Sequence, residues 1–214
     1  MRIHFNSRSL SSGLLAILAS TLGISCASEL TRTGSSPAYI VIDSVAGASG
    51  AEPGRFGNPL LSDVLTLVEQ QVNGATVRVP TTFNDLGQVR MRMALKNTIT
   101  PSAPSAQTQI TFTRYHVDFR RTDGRNTQGT DVPYSFDGGV TMTVPAGGDV
   151  TFAFEVVRNQ AKLEAPLQNL RNGGGAILIS TIAEITFYGR DQVGNEVVAT
   201  GTLSVNFGDF ADPS

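Results

Sequence analysis

One cysteine, Cys26, and two histidines, His4 and His116, are all the chain offers of the side chains that most often carry nucleophilic or metal chemistry. Zinc sites built from His and Cys have no ligand set here. His4 lies in a leader read below as cleaved, so Ser-His-Asp or Cys-His catalysis in the mature chain would rest wholly on His116. That residue stands between Tyr115 and Val117 in an alternating run, which is the setting of an ordinary strand residue. No G-x-S-x-G, phosphate-binding loop or dinucleotide glycine pattern occurs. Oxygen ligands are more plentiful. Asp191 and Asn195, with Asp209 and Asp212 in the tail, form a candidate calcium set, since calcium takes roughly six to eight oxygens; Asp and Asn are equally ordinary turn formers. Arg90, Arg92, Arg114, Arg120, Arg121 and Arg125 form a candidate patch for an acidic glycan, a lipid phosphate or a partner's carboxylate. The alternative is a solvated face paired with Asp118, Glu155 and Glu184. A glycosidase needs two carboxylates across a cleft, and Glu155 and Glu184 fall on outward strand positions that make none. Tyr115, Tyr134 and Tyr188 are candidate sugar-stacking rings. No catalytic set emerges, so the chain is expected to be non-enzymatic.

The cysteine has a different explanation. Residues 1–9 carry Arg2 and Arg8 and no acid, and residues 10–24 are apolar and small. A short basic start, an apolar core and then small residues are the pattern of an export signal. Ser11, Ser12, Ser20 and Thr21 interrupt the apolar run, which is too short and too broken to span a bilayer; no later segment is long or apolar enough either. Cys26 follows Gly23-Ile24-Ser25. This resembles the bacterial lipobox, in which a small residue precedes a cysteine that receives diacylglycerol and becomes the new N-terminus. It departs from that pattern at Gly23, where the family favours Leu; Leu22 lies one place early. An ordinary signal peptide cut nearby would leave a stray thiol in a compartment where cysteines pair. Lipidation consumes it, and two or three acyl chains hold a domain where one does not. Ala27 in the next position is what the resemblance associates with the outer membrane of a two-membrane cell. The implied partner is therefore a membrane, reached through the lipid at Cys26.

Removal of residues 1–25 takes Arg2 and Arg8 away, leaving 14 of the 16 basic residues against 18 acids. The net charge near −4 argues against nucleic acid as a partner. Residues 26–37 are small and polar and read as a flexible tether.

Beyond the tether the pattern is period two. Val89, Met91, Met93 and Leu95 alternate with Arg90, Arg92, Ala94 and Lys96; Val150, Phe152, Phe154 and Val156 alternate with Thr151, Ala153 and Glu155. Val140, Met142 and Val144 share a face, as do Val197, Ala199, Leu203, Val205 and Phe207, and Ile177, Ile179, Ile185 and Phe187. Clean alternation predicts antiparallel sheet with one wet face. In residues 109–121 the parity breaks: Ile110 and Phe112 share one phase, Tyr115, Val117 and Phe119 the other. A β-bulge near Thr113–Arg114 restores one buried face. Residues 145–149 and 191–195 read as tight hairpin turns, with Asn195 suited to positive φ, and Asn73-Gly74 as a third. Residues 101–107, 123–132 and 46–59 read as loops; residues 61–71 and 161–171 come nearest to helical spacing, and the second, broken by Pro166, allows one turn.

Many strands of 7–13 residues with tight turns and no helical spacers read as a β-sandwich. "TVPAGGDVTFAFEVV" followed by "ITFYGRDQVGNEVVATGTLSVNF" resembles the closing half of a bacterial immunoglobulin-like domain, and the chain more broadly resembles uncharacterised bacterial lipoproteins carrying "FRRTDGRN…DVPYSFDGGV". The resemblance implies an all-β, antiparallel immunoglobulin-like sandwich over residues 86–214, with extra N-terminal strands over residues 38–85 added at the sandwich edges. It brings no activity. The expected function is that of a lipid-anchored, non-catalytic binding or structural module of the cell envelope. Alternatives are a subunit of an extracellular fibre or envelope complex, with another envelope protein as partner, and a glycan-binding domain. No cofactor is expected beyond the candidate calcium.

Overall fold

The computed structural model describes residues 36–96, 106–173 and 177–210. Cys26, residues 1–35, residues 101–105 of the predicted loop and Asp212 lie outside the described residues. The described chain is all-β. Its strands are β1 (Ala38–Ala48), β2 (Leu60–Asp63), β3 (Thr66–Val72), β4 (Ala75–Thr81), β5 (Asp85–Leu95), β6 (Ile110–Arg120), β7 (Phe136–Val144), β8 (Asp149–Val157), β9 (Ile179–Asp191) and β10 (Glu196–Gly208). One helical turn, α1 (Asn159–Lys162), and a 3-10 turn, Leu167–Leu170, occupy the connection from β8 to β9. Among the described residues no helix is long and apolar enough to cross a membrane.

Three sheets result: β1-β5-β8, β2-β10-β9-β6-β7, and β3-β4. All pairings are antiparallel except β2 with β10. The alternation explains which faces meet. Val89 and Met91 are buried while Arg90 and Arg92 are exposed; Leu203, Val205 and Phe207 are buried while Thr202 and Ser204 are exposed. The three- and five-stranded sheets close on each other through aromatic rings. Phe187 of β9 meets Phe152 and Phe154 of β8 edge-on at 5.6 and 5.3 Å, and Tyr115 of β6 meets Phe154 at 5.2 Å. Such edge-to-face contacts add to the free energy of burying the rings.

The predicted bulge is present. Between Phe112 and Arg114 the register of β6 shifts against both neighbours; against β9, two steps of β6 match the single step from Gly189 to Tyr188. Thr113 and Arg114 are exposed in succession, so Ile110, Phe112, Tyr115, Val117 and Phe119 all reach the core.

Several expectations are corrected. Residues 145–149 do not close a hairpin: β7 pairs with β6 and β8 with β5, so the turn carries the chain from one sheet to the other. Alternation marks the buried face of a strand and is silent about its neighbour. In the turn after β9 the positive φ belongs to Gly194, at 96°, and not to Asn195. Ile177 precedes β9 and is exposed, because the strand begins only at Ile179. Within residues 38–85, β1 and β2 do extend sheet edges, but β3 and β4 form a separate hairpin around Asn73 (φ 51°) and Gly74 (φ 82°), as that dipeptide predicts.

Two cross-strand glycines serve as shelves for core rings. Gly138 of β7 faces Tyr115 of β6, and Gly87 of β5 faces Phe154 of β8. A Cβ on Gly138 would fall 2.2 Å from the Tyr115 ring, which is buried and has nowhere to go; one on the neighbouring Gly139 would meet nothing within 4 Å. Gly138→Ala is therefore expected to destabilise by about 1–3 kcal/mol through overpacking, and Gly139→Ala to stay within roughly 0.5 kcal/mol. Chemical denaturation of the two variants, one residue apart, checks this; equal effects would overturn it.

Candidate functional site

The arginines divide between surfaces. Arg90 and Arg92 lie on the outer face of β5, where Arg90 Nε donates to Asp149 at 2.8 Å and Arg92 Nε to Asp43 at 3.0 Å. Arg114 and Arg120 lie on β6 in the other sheet. Arg114 stacks 4.2 Å over the Tyr188 ring, and Arg120 Nε donates to Asp118 at 2.9 Å. Arg121 and Arg125 both hold Asp123 in the following loop, and Arg121 foremost keeps that carboxyl well below the usual range. These guanidiniums do not gather into one patch, and each is engaged by a nearby acid or ring.

The calcium set is likewise dispersed. Asp191 begins the turn before β10 and Asp209 follows the end of that 13-residue strand, so about 40 Å of strand separates them. The Asp191 carboxylate is committed locally: it accepts Val193 N–H at 3.1 Å, Asn195 N–H at 2.9 Å and Asn195 Nδ2 at 2.8 Å. Burial pushes this carboxyl up, but the Asn195 donors, the Ser36 hydroxyl and Val193 N–H hold it below its ordinary value. Among the described residues no three His, Cys, Asp or Glu side chains are placed to hold a metal.

His116 faces outward on β6 with Nδ1 3.3 Å from Asp137. Tyr115, taken from sequence as an exposed stacking ring, is buried instead, because the bulge turns it into the core. Tyr134 is exposed and Tyr188 lies half-buried under Arg114. Glu155 and Glu184 belong to different sheets.

Two features went unseen in the sequence. The first is the uncovered valine face of the β3-β4 hairpin. Pairs opposite each other share a face, and Val68–Val79, Gln70–Val77 and Val72–Ala75 put an uncharged, valine-rich surface on one side. The other side carries the Glu69–Arg78 ion pair and the Gln71–Thr76 hydrogen bond. Val72 and Val77 remain 48% and 44% exposed, so this apolar side is uncovered. At the hairpin's base a groove of about 250 Å³ is lined by Ala51, Leu61, Thr66 and Phe210 among others. Valine-rich alternation predicts a strand; an uncovered valine face carries no sequence signal of its own.

The second is a buried charge cluster. Lys162 Nζ of α1 lies 2.7 Å from Asp85 Oδ1 at the start of β5, with side chains 1% and 0% exposed. Gly50 N–H donates to the same oxygen at 2.8 Å and Ser62 Oγ to Oδ2 at 2.5 Å. Burial pushes the Asp85 carboxyl above its ordinary range, against the pull of Lys162, Ser62 and Gly50.

No family model, no curated protein and no solved structure matches the chain.

Lys162→Met leaves Asp85 buried without its cation, and a loss of about 3–5 kcal/mol is expected in urea unfolding. Asp191 makes a prediction in pH. Its lowered carboxyl contributes stability above the unfolded value of about 3.9, and that contribution is lost as pH falls toward the folded value. The melting-temperature gap between wild type and Asp191→Asn should therefore narrow between about pH 5 and pH 2. A gap constant with pH would show that the charge of Asp191 does not matter.

Proposed function

We propose that this is an exported cell-envelope protein, lipid-anchored at Cys26, whose immunoglobulin-like sandwich acts as a non-catalytic binding or structural module. The observation that carries the reading is the opposition of the two ends. The described chain enters beside the Asp191 turn, where Pro37 C=O accepts Lys96 N–H. The hairpin leaves from the far end, where β2 runs alongside Val205–Gly208 at the close of β10. A chain entry at one end and an exposed hairpin, paired with neither large sheet, at the other suit a module that displays a surface away from the segment that carries its anchor.

The strand order supports the immunoglobulin-like part. With β1, β5 and β8 as strands A, B and E, and β6, β9 and β10 as C, F and G, the two sheets divide as such domains do, and β7 extends the second sheet as an extra C′ strand. The usual Cys-Trp-Cys core is absent, as there is no tryptophan. No tyrosine stands in the connection before β9, where such domains often pin it; Lys162 and Asp85 fill that role here.

A second reading, as a subunit of an envelope complex, is favoured by the uncharged valine face of the hairpin. Apposed copies would meet there without like-charge repulsion.

Mass spectrometry of the mature N-terminus tests the anchor. A diacylglyceryl-modified Cys26 is expected, and Cys26→Ala should release the protein from membranes. An unmodified N-terminus at another residue would refute it. Light scattering separates the two functional readings: a monomer at high concentration counts against the self-assembling subunit, and self-association abolished by Val77→Asp supports it.

A further inference from the structure

We propose that Lys162 and Asp85 become joined by an intramolecular amide bond, formed by the folded protein itself from the ion pair described above. Nothing in this inference depends on the anchoring or binding role.

The placement is that of two reactants held ready. Nζ and Oδ1 are 2.7 Å apart and sealed from solvent, and they come from segments 77 residues apart that folding alone brings together. Holding reacting groups in contact removes the entropic barrier that normally separates an amine from an acid. The chain has only two lysines, Lys96 and Lys162, and this one is buried in a four-residue helical turn.

Each atom of the condensation has a place in the site. An ammonium is no nucleophile, but a lysine amine becomes one when desolvated. Proton transfer from Nζ to the carboxylate replaces two buried charges with a neutral amine and a neutral acid, which a dry site favours. The raised Asp85 carboxyl points the same way. Nζ lies on Oδ1, so the first proton passes to that oxygen. The amine lone pair then attacks Cγ, and the C=O electrons move onto Oδ2, where the Ser62 hydroxyl at 2.5 Å stabilises the developing charge. The nitrogen gives its second proton to the already protonated Oδ1, which leaves as water as the electrons on Oδ2 return, and the third proton stays as the amide N–H. One ammonium and one carboxylate yield one amide and one water, with no oxidant, reductant or co-reactant. The amide oxygen keeps its Ser62 donor.

The mature protein, purified and denatured, is expected to weigh one water less than its sequence and its N-terminal modification together require. A tryptic digest should contain a branched peptide joining Lys162 to Asp85. Lys162→Arg keeps a cation in the site but offers no amine for this bond, so it should show the full sequence mass and only linear peptides. Wild-type protein kept folded at neutral pH for days that still shows the full mass, with Lys162 and Asp85 in separate linear peptides, would overturn the proposal. Should the arginine variant fail to fold, the wild-type digest alone decides.

Discussion

The contact between Lys162 and Asp85 is the constraint on which one whole end of the molecule depends. Four separate pieces of chain meet at one carboxylate: the loop after β1 through Gly50, β2 through Ser62, the head of β5 through Asp85 itself, and the connection from β8 to β9 through Lys162. Apart from β5, these pieces have too little regular structure to fix themselves. β2 has four residues and α1 has four, and a helix that short is not stable by propensity. Dehydrating both charges is costly, so the cluster persists only because every partner is in place. Its value lies in specifying one arrangement of segments that hydrophobic contact alone would leave free to slide.

Away from that end the fold rests on a different principle. Side chains that alternate along β5, β8, β9 and β10 sort themselves into one apolar and one wet surface. The apolar surfaces close around Phe187, and the smallest residues, Gly87 and Gly138, sit beneath the largest rings. Large and small thus interlock across the strand pairs, which is how a sheet reaches interior packing density without strain.

Much of this was legible in the residues. The parity break around Thr113 located the bulge because burial leaves no other way to keep Phe112 and Tyr115 inside together. Asn73-Gly74 marked its hairpin because few other dipeptides tolerate two positive φ values. The turn at residues 145–149 misled for a definable reason: a short Gly-rich connection suits a hairpin and a crossing between sheets alike, and only the pairing partners distinguish them. The candidate sites were less legible. Arg90 and Arg114 look alike in sequence yet serve opposite sheets, and Asp191 and Asp209 are close in number but a full strand apart in space. The Lys162 cluster left no trace, since neither a lone lysine nor an aspartate after Asn84 departs from ordinary loop composition.

The path of the chain through β1 has a mechanical meaning. The residues leading in from the N-terminus reach the domain at Ser36, and β1 then runs its full length hydrogen-bonded to β5 before the chain passes on toward the hairpin. A load applied between that entry and the hairpin tip would pull β1 lengthwise along its neighbour. The ladder would be stressed in shear, all rungs together, and would not peel open one rung at a time. Such a geometry resists extension, and a domain stretched between a surface and whatever grips its far end would keep its shape under tension.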